Sequence, residues 1–343
     1  MDKSRRNLLV GGGSVMAIGA ATGAMSLQAE FIEHAANFLV AEAEAADFTY
    51  DLKPMRIADN SYLIQGKSEH FSRQNGGNIV NVAFIATEEG VVLIDTGPSR
   101  RYGEALRKVI RSTTGKEVVR VYNTHFHPDH VLGNQVFGAG NIAALPKTIS
   151  GLETTGEAFS DNLYRLLGDW MRSTEVTIPG KPVTFSSEKF GTHRFEMLPM
   201  SGHTNADLAI LDHKTGVLYT GDLCFLDRAA TTPHADIANW QNSLKQLKTV
   251  PHKLLLPGHG PADPADRAIE QTSAYLAWLE SELIKAVKDG KDMLEAGRME
   301  IPAKFTNIHV VKEEIERSVA HLYPALEERY LPLVGQGDKQ TGH

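Results

Sequence analysis

The sequence predicts a layered α/β fold, and three observations carry that expectation. Val118 to Tyr122 (VVRVY) is a β-branched run that follows a helix-spaced stretch and ends in THFHPDHVLGN, residues 124–134. Strand, helix, strand and then a polar cluster at the strand tip is the usual geometry of an α/β site. Three later strands also end in a Gly-flanked His or Asp, and from about residue 265 the chain reads as helix.

The elements follow in order. Tyr62-Leu63-Ile64 and Ile79 to Ala86 (IVNVAFIA) are short β-rich runs, and Glu88-Glu89-Gly90 turns into the buried strand Val91 to Ile94, which ends at Asp95-Thr96-Gly97. Tyr102 to Ser112 sets Leu106, Val109 and Ile110 at helical spacing. Phe159 to Met171 fits two readings equally, a lid walling the substrate or a helix packed on the sheet, because periodicity does not separate them. Phe195 to Pro199 leads to Ser201-Gly202-His203-Thr204. Leu208 to Leu211 and Val217 to Thr220 are strands around the turn His213-Lys214-Thr215-Gly216, the second ending at Gly221-Asp222. Leu254 to Leu256 ends at Pro257-Gly258-His259-Gly260, and glycine beside such a residue lets the backbone turn sharply. Ala268 to Leu283 and Val311 to Tyr330 read as helices, and residues 335–343 as a frayed polar tail.

Composition narrows the class of function. The 343 residues, 42% hydrophobic, are enough for one large domain or two small ones. A net charge of -7 with no basic stripe argues against nucleic acid, and against a membrane-surface role. Ser4-Arg5-Arg6-Asn7-Leu8-Leu9-Val10 resembles a twin-arginine export signal. The apolar run from Leu8 to Leu27 that follows is diluted by five glycines (Gly11, Gly12, Gly13, Gly19, Gly23). Residues 1–46 are thus read as an export address and the destination as the periplasm, with an uncleaved anchor facing the periplasm as the alternative. After cleavage no stable membrane insertion is expected. A single cysteine, Cys224, excludes a disulfide within the chain and is read as a small core residue.

The histidines carry the chemistry. With 14 of them in the chain, H-x-H-x-D-H arises by chance on the order of one time in a thousand. His125 and His127 lie two apart on an extended stretch, so both imidazoles face one way, and His203 follows a strand closely enough to join them. Three imidazoles with water in the fourth place make the open site of catalytic zinc. Asp129, His130 and His259 form a second set, with Asp222 able to bridge both ions. Asp129 and Asp222 are the candidate catalytic carboxylates, Asp129 being placed to orient the attacking water or take its proton. Asp95 is expected behind the metal-bound histidines, fixing their orientation. His234, in the loop Arg228 to Asp236, and Trp170 and Tyr164 are the candidates for lining the substrate. His70, His193, His213, His252, His309 and His321 have no companions at ligand spacing.

H-x-H-x-D-H, then G-H-T, then G-D at a strand end, then P-G-H-G resembles the metallo-β-lactamase superfamily in order and spacing, from about Asn75 to Pro261, and VVLIDTG (91–97) matches its first signature. The resemblance implies an αββα sandwich over 47–265, with helices over 266–334 belonging to the same domain. The commonest β-lactamase subclass has cysteine where Asp222 stands and no histidine after Asp129, so antibiotic hydrolysis is disfavoured. Asn75 to Asn81, His125 to Phe137 and His321 to Glu328 further resemble the exported quinoprotein relay system zinc metallohydrolases and their sulfur-oxidation-cluster relatives. The expected function is an exported hydrolase with two zinc ions and a bridging hydroxide, acting on an ester, thioester, lactone, amide or phosphoester. The partners implied are a small-molecule substrate and a functional link to a periplasmic quinoprotein or sulfur-oxidation system. Two alternatives stand beside it. One is a persulfide dioxygenase with one Fe(II) on His125, His203 and Asp222. The other is a non-catalytic metal or cofactor relay.

Overall fold

Alternation along short strands builds the layers. In the adjacent strands Val82–Ala86 and Val91–Ile94, the side chains of Ala83, Ile85, Val92 and Ile94 enter one apolar cluster, while Val82, Phe84, Val91 and Leu93 enter another on the opposite face. A sheet made this way is apolar on both sides and must be covered on both. The computed structural model describes residues 48–331. The segment 1–46, expected to be an export address, and the expected tail at 335–343 lie outside them.

Among the described residues the strands form two sheets. The first runs β1 (Pro54–Ala58), β2 (Ser61–Ile64), β3 (Val82–Ala86), β4 (Val91–Ile94), β5 (Val118–Tyr122), β6 (Ile142–Ala144), β7 (Lys181–Pro182), antiparallel up to β4 and parallel beyond it. The second has the order β12 (Leu254–His259), β11 (Val217–Phe225), β10 (Asp207–Asp212), β9 (His193–Met200), β8 (Ser187–Phe190), with only β11 and β12 parallel. The inner faces of the two sheets meet in one cluster, where Leu63, Ile85 and Tyr122 share contacts with Phe195, Ile210 and Tyr219.

Helices close both outer faces. Helix α1 (Arg100–Thr114) lays Tyr102, Leu106 and Ile110 on the first sheet; Ser99 caps it by accepting from Tyr102 N, and Gly115 ends it with φ 70°. The short α2 (Pro128–Val131) and the long α3 (Pro146–Leu167) follow β5 and β6. On the second sheet, α4 (Ile237–Leu247), α5 (Arg267–Lys288), the one-turn α6 (Met293–Ala296) and α7 (Val311–Tyr330) bring Trp240, Leu276, Ala296 and Val319 into one cluster with Ala209 and Leu218. The layer order is therefore αββα, with the C-terminal helices packed on the sandwich. Among the described residues, no helix is long and apolar enough to cross a membrane.

Two strands differ from the sequence reading. The strand expected from Ile79 begins at Val82, because Asn81 is committed elsewhere: its Oδ1 accepts from Gly66 N and its Nδ2 donates to Pro257 O and Gly260 O. The strand expected to stop before Asp222 continues to Phe225. Its ladder with β12 slips around Gly221, whose φ of 50° suits glycine, and resumes at Phe225↔His259. Short edge strands such as β1, β7 and β8 were not anticipated at all.

Candidate metal centre

Every candidate ligand except Asp222, which lies within β11, sits just past a strand or at its end. β5 releases His125, His127, Asp129 and His130; the β9–β10 turn carries His203; β11 carries Asp222; β12 ends on His259. The backbone is bent to present them. Asp95, after β4, has φ 61°, a region that Asp enters more readily than most residues. Its carboxylate accepts from Thr124 N and Thr124 Oγ1, both at 2.8 Å, and so clamps the start of the histidine loop.

The ligand atoms converge in two buried groups, each with its atoms within 4.8 Å of one another: His125, His127, His203 and Asp222, and Asp129, His130 and His259. Asp222 faces both. Its Oδ2 is 3.4 Å from His203 Nε2, 3.9 Å from His125 Nε2 and 3.3 Å from His259 Nε2, while its Oδ1 is 3.1 Å from His130 Nε2. Asp129 Oδ2 lies 3.3 Å from His259 Nε2 and 3.8 Å from His130 Nε2.

The outer nitrogens explain why the inner ones point inward. His130 Nδ1 is 2.7 Å from Asp95 Oδ2, His259 Nδ1 is 2.7 Å from the Ile79 carbonyl, and His125 Nδ1 is 3.0 Å from Thr124 Oγ1. An acceptor on Nδ1 keeps the proton there and leaves the Nε2 lone pair free. Asp95 thus lies behind His130.

Electrostatics divides the two groups. Burial depresses the pKa of His125, His127 and His203, and neighbouring histidines depress it further, so these rings are neutral. Burial also opposes the charge on His130 and His259, but the nearby carboxylates, Asp222 foremost, outweigh it and raise both. Asp222 and Asp129, although buried, are held well below the usual carboxylate range by His259 and His130. Buried and without hydrogen-bond partners, His125 Nε2, His130 Nε2 and Asp222 Oδ1 have the character of cation ligands. Imidazoles and carboxylates at this spacing fit divalent metal ions. Cys224, two residues from Asp222, lies in the core, with its thiol pushed up to about 12 by burial.

A cavity of 370 Å³ opens onto the centre beside His127, Asp129, Asp222 and His259. Phe71, Phe159, Leu163 and Leu166 supply an apolar wall, and His70, Arg228, His234 and Arg317 a polar one. His234 is in the lining, whereas Tyr164 and Trp170 are not. Helix α3 presents Phe159, Leu163 and Leu166 to the cavity, whereas Tyr164 is 52% exposed on another face. Trp170 packs against Tyr50 with centroids 4.5 Å apart and planes tilted by 49°, donates to the Arg73 carbonyl and lies over Gly76. The α3 segment is both wall and core helix, since Leu163, Leu167 and Met171 also pack on Leu132. His70, Arg228 and Arg317 were missed, because no local spacing marks residues that meet only through the fold.

Sandwich and site together define a metal-dependent hydrolase. The chain belongs to the metallo-beta-lactamase superfamily, whose model matches residues 75–259, over half of it. It is similar to a Beta-lactamase-like protein 2 homolog of Caenorhabditis elegans, 23% identical over 62% of this chain and 67% of that one. It is also similar to the hydroxyacylglutathione hydrolase of a Cyanothece species, 27% identical over 39% of this chain and 47% of that enzyme, so the match spans less than half of that enzyme's length. Among solved structures, a beta-lactamase domain protein from Burkholderia ambifaria superposes with a TM-score of 0.56 at 19% identity, over 82% of this chain and 89% of that one. A metallo-beta-lactamase from Pontibacter korlensis gives 0.53 at 19% identity, over 66% and 99%. At that identity the likeness shows the shared fold.

Proposed function

We propose that the chain is a dinuclear zinc hydrolase that cleaves a small ester, thioester, lactone, amide or phosphoester in the periplasm, in functional connection with a quinoprotein or sulfur-oxidation system. One observation carries the dinuclear reading: a single buried carboxylate, Asp222, faces both ligand groups, 3.1 Å from His130 Nε2 and 3.4 Å from His203 Nε2. A mononuclear iron site needs only His125, His203 and Asp222. It gives no reason to bury Asp129, His130 and His259 within 4.8 Å of one another and to fix His130 and His259 from behind.

When bound, a pair of divalent ions supplies a nucleophile at neutral pH and polarises the scissile oxygen. The chain does the rest. His125, His127 and His203 would hold one ion with neutral donors and Asp129, His130 and His259 would hold the other, with Asp222 facing both groups. Asp129 holds a carboxylate at the cavity floor where it orients the attacking water and takes its proton. Phe71, Phe159, Leu163 and Leu166 exclude bulk water from the reacting bond. The polar wall adds a preference for charge. Arg228 and Arg317 both line the cavity, and the Glu314 carboxylate, 3.5 Å from Arg228 Nη2 and 3.8 Å from Arg317 Nη1, offsets only one of them. A substrate with an anionic group beside an apolar part fits these walls best.

The test is metal content and turnover on protein purified without chelator and with oxygen excluded. Two zinc ions per chain, with hydrolysis that falls at least about a thousandfold in Asp222→Ala, is the expected result, since a bound ion contributes several kcal/mol. One iron per chain with oxygen uptake on a persulfide would overturn it, and so would an Asp222→Ala variant that still turns over.

A further inference from the structure

We propose that His234 is a positioning residue that aims His127 at the first ligand group, and that the C-terminal helix α7 holds it in place; this rests on the dinuclear reading. The observation is an asymmetry among the ligands. His125, His130 and His259 turn Nε2 inward and are fixed at Nδ1 by Thr124, Asp95 and the Ile79 carbonyl. His127 is reversed: its Nδ1 faces His203 Nε2 at 2.8 Å, and its outer Nε2 is 2.8 Å from His234 Nδ1.

Chemistry then fixes the protons. With Nδ1 given to an ion, the His127 proton is on Nε2 and donates to His234 Nδ1. His234 therefore carries its own proton on Nε2, on the cavity wall. The His234 ring is further set by edge contacts with Phe126 and Phe159, with centroids 5.3 and 6.0 Å away and planes at 65° and 79°.

The loop that carries His234 has no place in either sheet, and α7 anchors it. Thr231 Oγ1 donates to Glu314 Oε1 at 2.9 Å, and the Thr232 and Ser318 hydroxyls are 2.7 Å apart. Glu314 and Ser318 lie one turn apart on α7, and Thr232, Glu314 and Ser318 are fully buried. Ala229 N donates to the His309 carbonyl and Asp236 N to the Gly202 carbonyl, which fixes both ends of the loop. A continuous run of contacts therefore joins α7 to His127, through a residue 107 positions away from that ligand.

The experiment is zinc titration of the metal-free full-length chain against a chromophoric chelator, which reads binding without turnover. His234→Leu keeps bulk but loses the acceptor, and it is expected to weaken one of the two zinc sites by about 10–100-fold while leaving the other unchanged. His234→Asn places an oxygen near the Nδ1 position and is expected to return that site to within about threefold of wild type. Thr232→Val, which cuts one tie to α7, is expected to cost about fivefold in the same site, the worth of one buried hydrogen bond. His234→Leu binding both ions as wild type does, or Asn failing as badly as Leu, overturns the proposal, and an unchanged Thr232→Val strikes α7 from it. If His234→Leu does not fold, the same comparison between His234→Ala and His234→Asn decides. A wild-type chain that binds no zinc refutes the proposed function instead, so the two failures are distinguishable.

Discussion

Gly258→Ala perturbs the centre by one methyl group, with no change in charge. Gly258 lies on β12 next to His259 and is outside the positive-φ region, so alanine brings no backbone strain. A Cβ there would lie 2.8 Å from the Gly221 carbonyl carbon and 2.9 Å from Asp222 N, and would overlap Asp222 Oδ1 outright. Carbon contacts relax only beyond about 3.5 Å, so the carboxylate must retreat by more than about 1 Å. That is the same oxygen that stands 3.1 Å from His130 Nε2. A misplacement of about 1 Å costs on the order of a hundredfold in rate, or about 2.7 kcal/mol in the barrier. Overpacking adds about 1–3 kcal/mol of destabilisation, which should be equal with and without metal. The assay is kcat/KM on a hydrolysable ester, with zinc content and the melting midpoint of the metal-free protein measured on the same preparation. Gly140→Ala, whose methyl meets nothing within 4 Å, is the control and should match wild type. A Gly258→Ala enzyme with full zinc content and unchanged kcat/KM would refute the geometric reasoning about Asp222.

Two further outcomes are expected. Arg317→Gln should raise KM about fivefold for an anionic ester and leave its neutral counterpart unaffected, a shift typical of a half-exposed charge; equal effects on both substrates would remove charge selection from the cavity wall. Glu188→Gln tests stability far from the centre. The carboxylate of Glu188 accepts a paired contact from Arg120 Nε and Nη2, each at 3.1 Å, and one from Lys181 Nζ at 2.9 Å. Burial works against its charge, but these donors and Tyr122 win and hold its pKa below 4.5. The folded value is depressed, so the contribution is present above the unfolded pKa and disappears as pH falls through the folded one. The variant should lose about 1 kcal/mol at pH 7 after allowance for partial exposure, and the gap should close well below pH 4.5 in the metal-free protein. A gap independent of pH would refute the charge account.

What was legible in the sequence is what local chemistry dictates. Val118 to Tyr122 reads as a strand because β-branched residues crowd it, and β5 has the same bounds. The H-x-H-x-D-H spacing puts four metal-binding groups in one loop, so their convergence required little beyond the strand that precedes them. Where the reading failed, the decisive contact was distant. Asn81 leaves the sheet because of partners near residues 66 and 257, and Trp170 turns from the cavity because Tyr50 and Arg73 claim it. Tyr164 and Leu163 are adjacent on α3, yet only the second reaches the cavity, since the helix's rotation is set by Leu132 and Met171 beneath it. Arg317 could not be found from sequence, because α7 approaches the centre only after the sandwich has formed.

The structure also explains how such a centre survives in a fold of marginal stability. Burying Asp95, Asp129 and Asp222 beside five imidazoles costs solvation energy that paired charges only partly return, and the lone pairs of His125 and His130 have no hydrogen bond to offset it. The cost is carried by the three apolar clusters around the sheets and by ties that cross between them. Asn81 is one such tie: it joins the first sheet to the Pro257–Gly260 turn, and its neighbour Ile79 accepts from His259. An ion that satisfies those lone pairs binds the folded chain alone and therefore stabilises it, because the unfolded chain offers no such convergence. Packing and these cross-ties hold the ligand positions, and this rigidity lets a one-methyl change at Gly258 or a lost acceptor at His234 register in the chemistry.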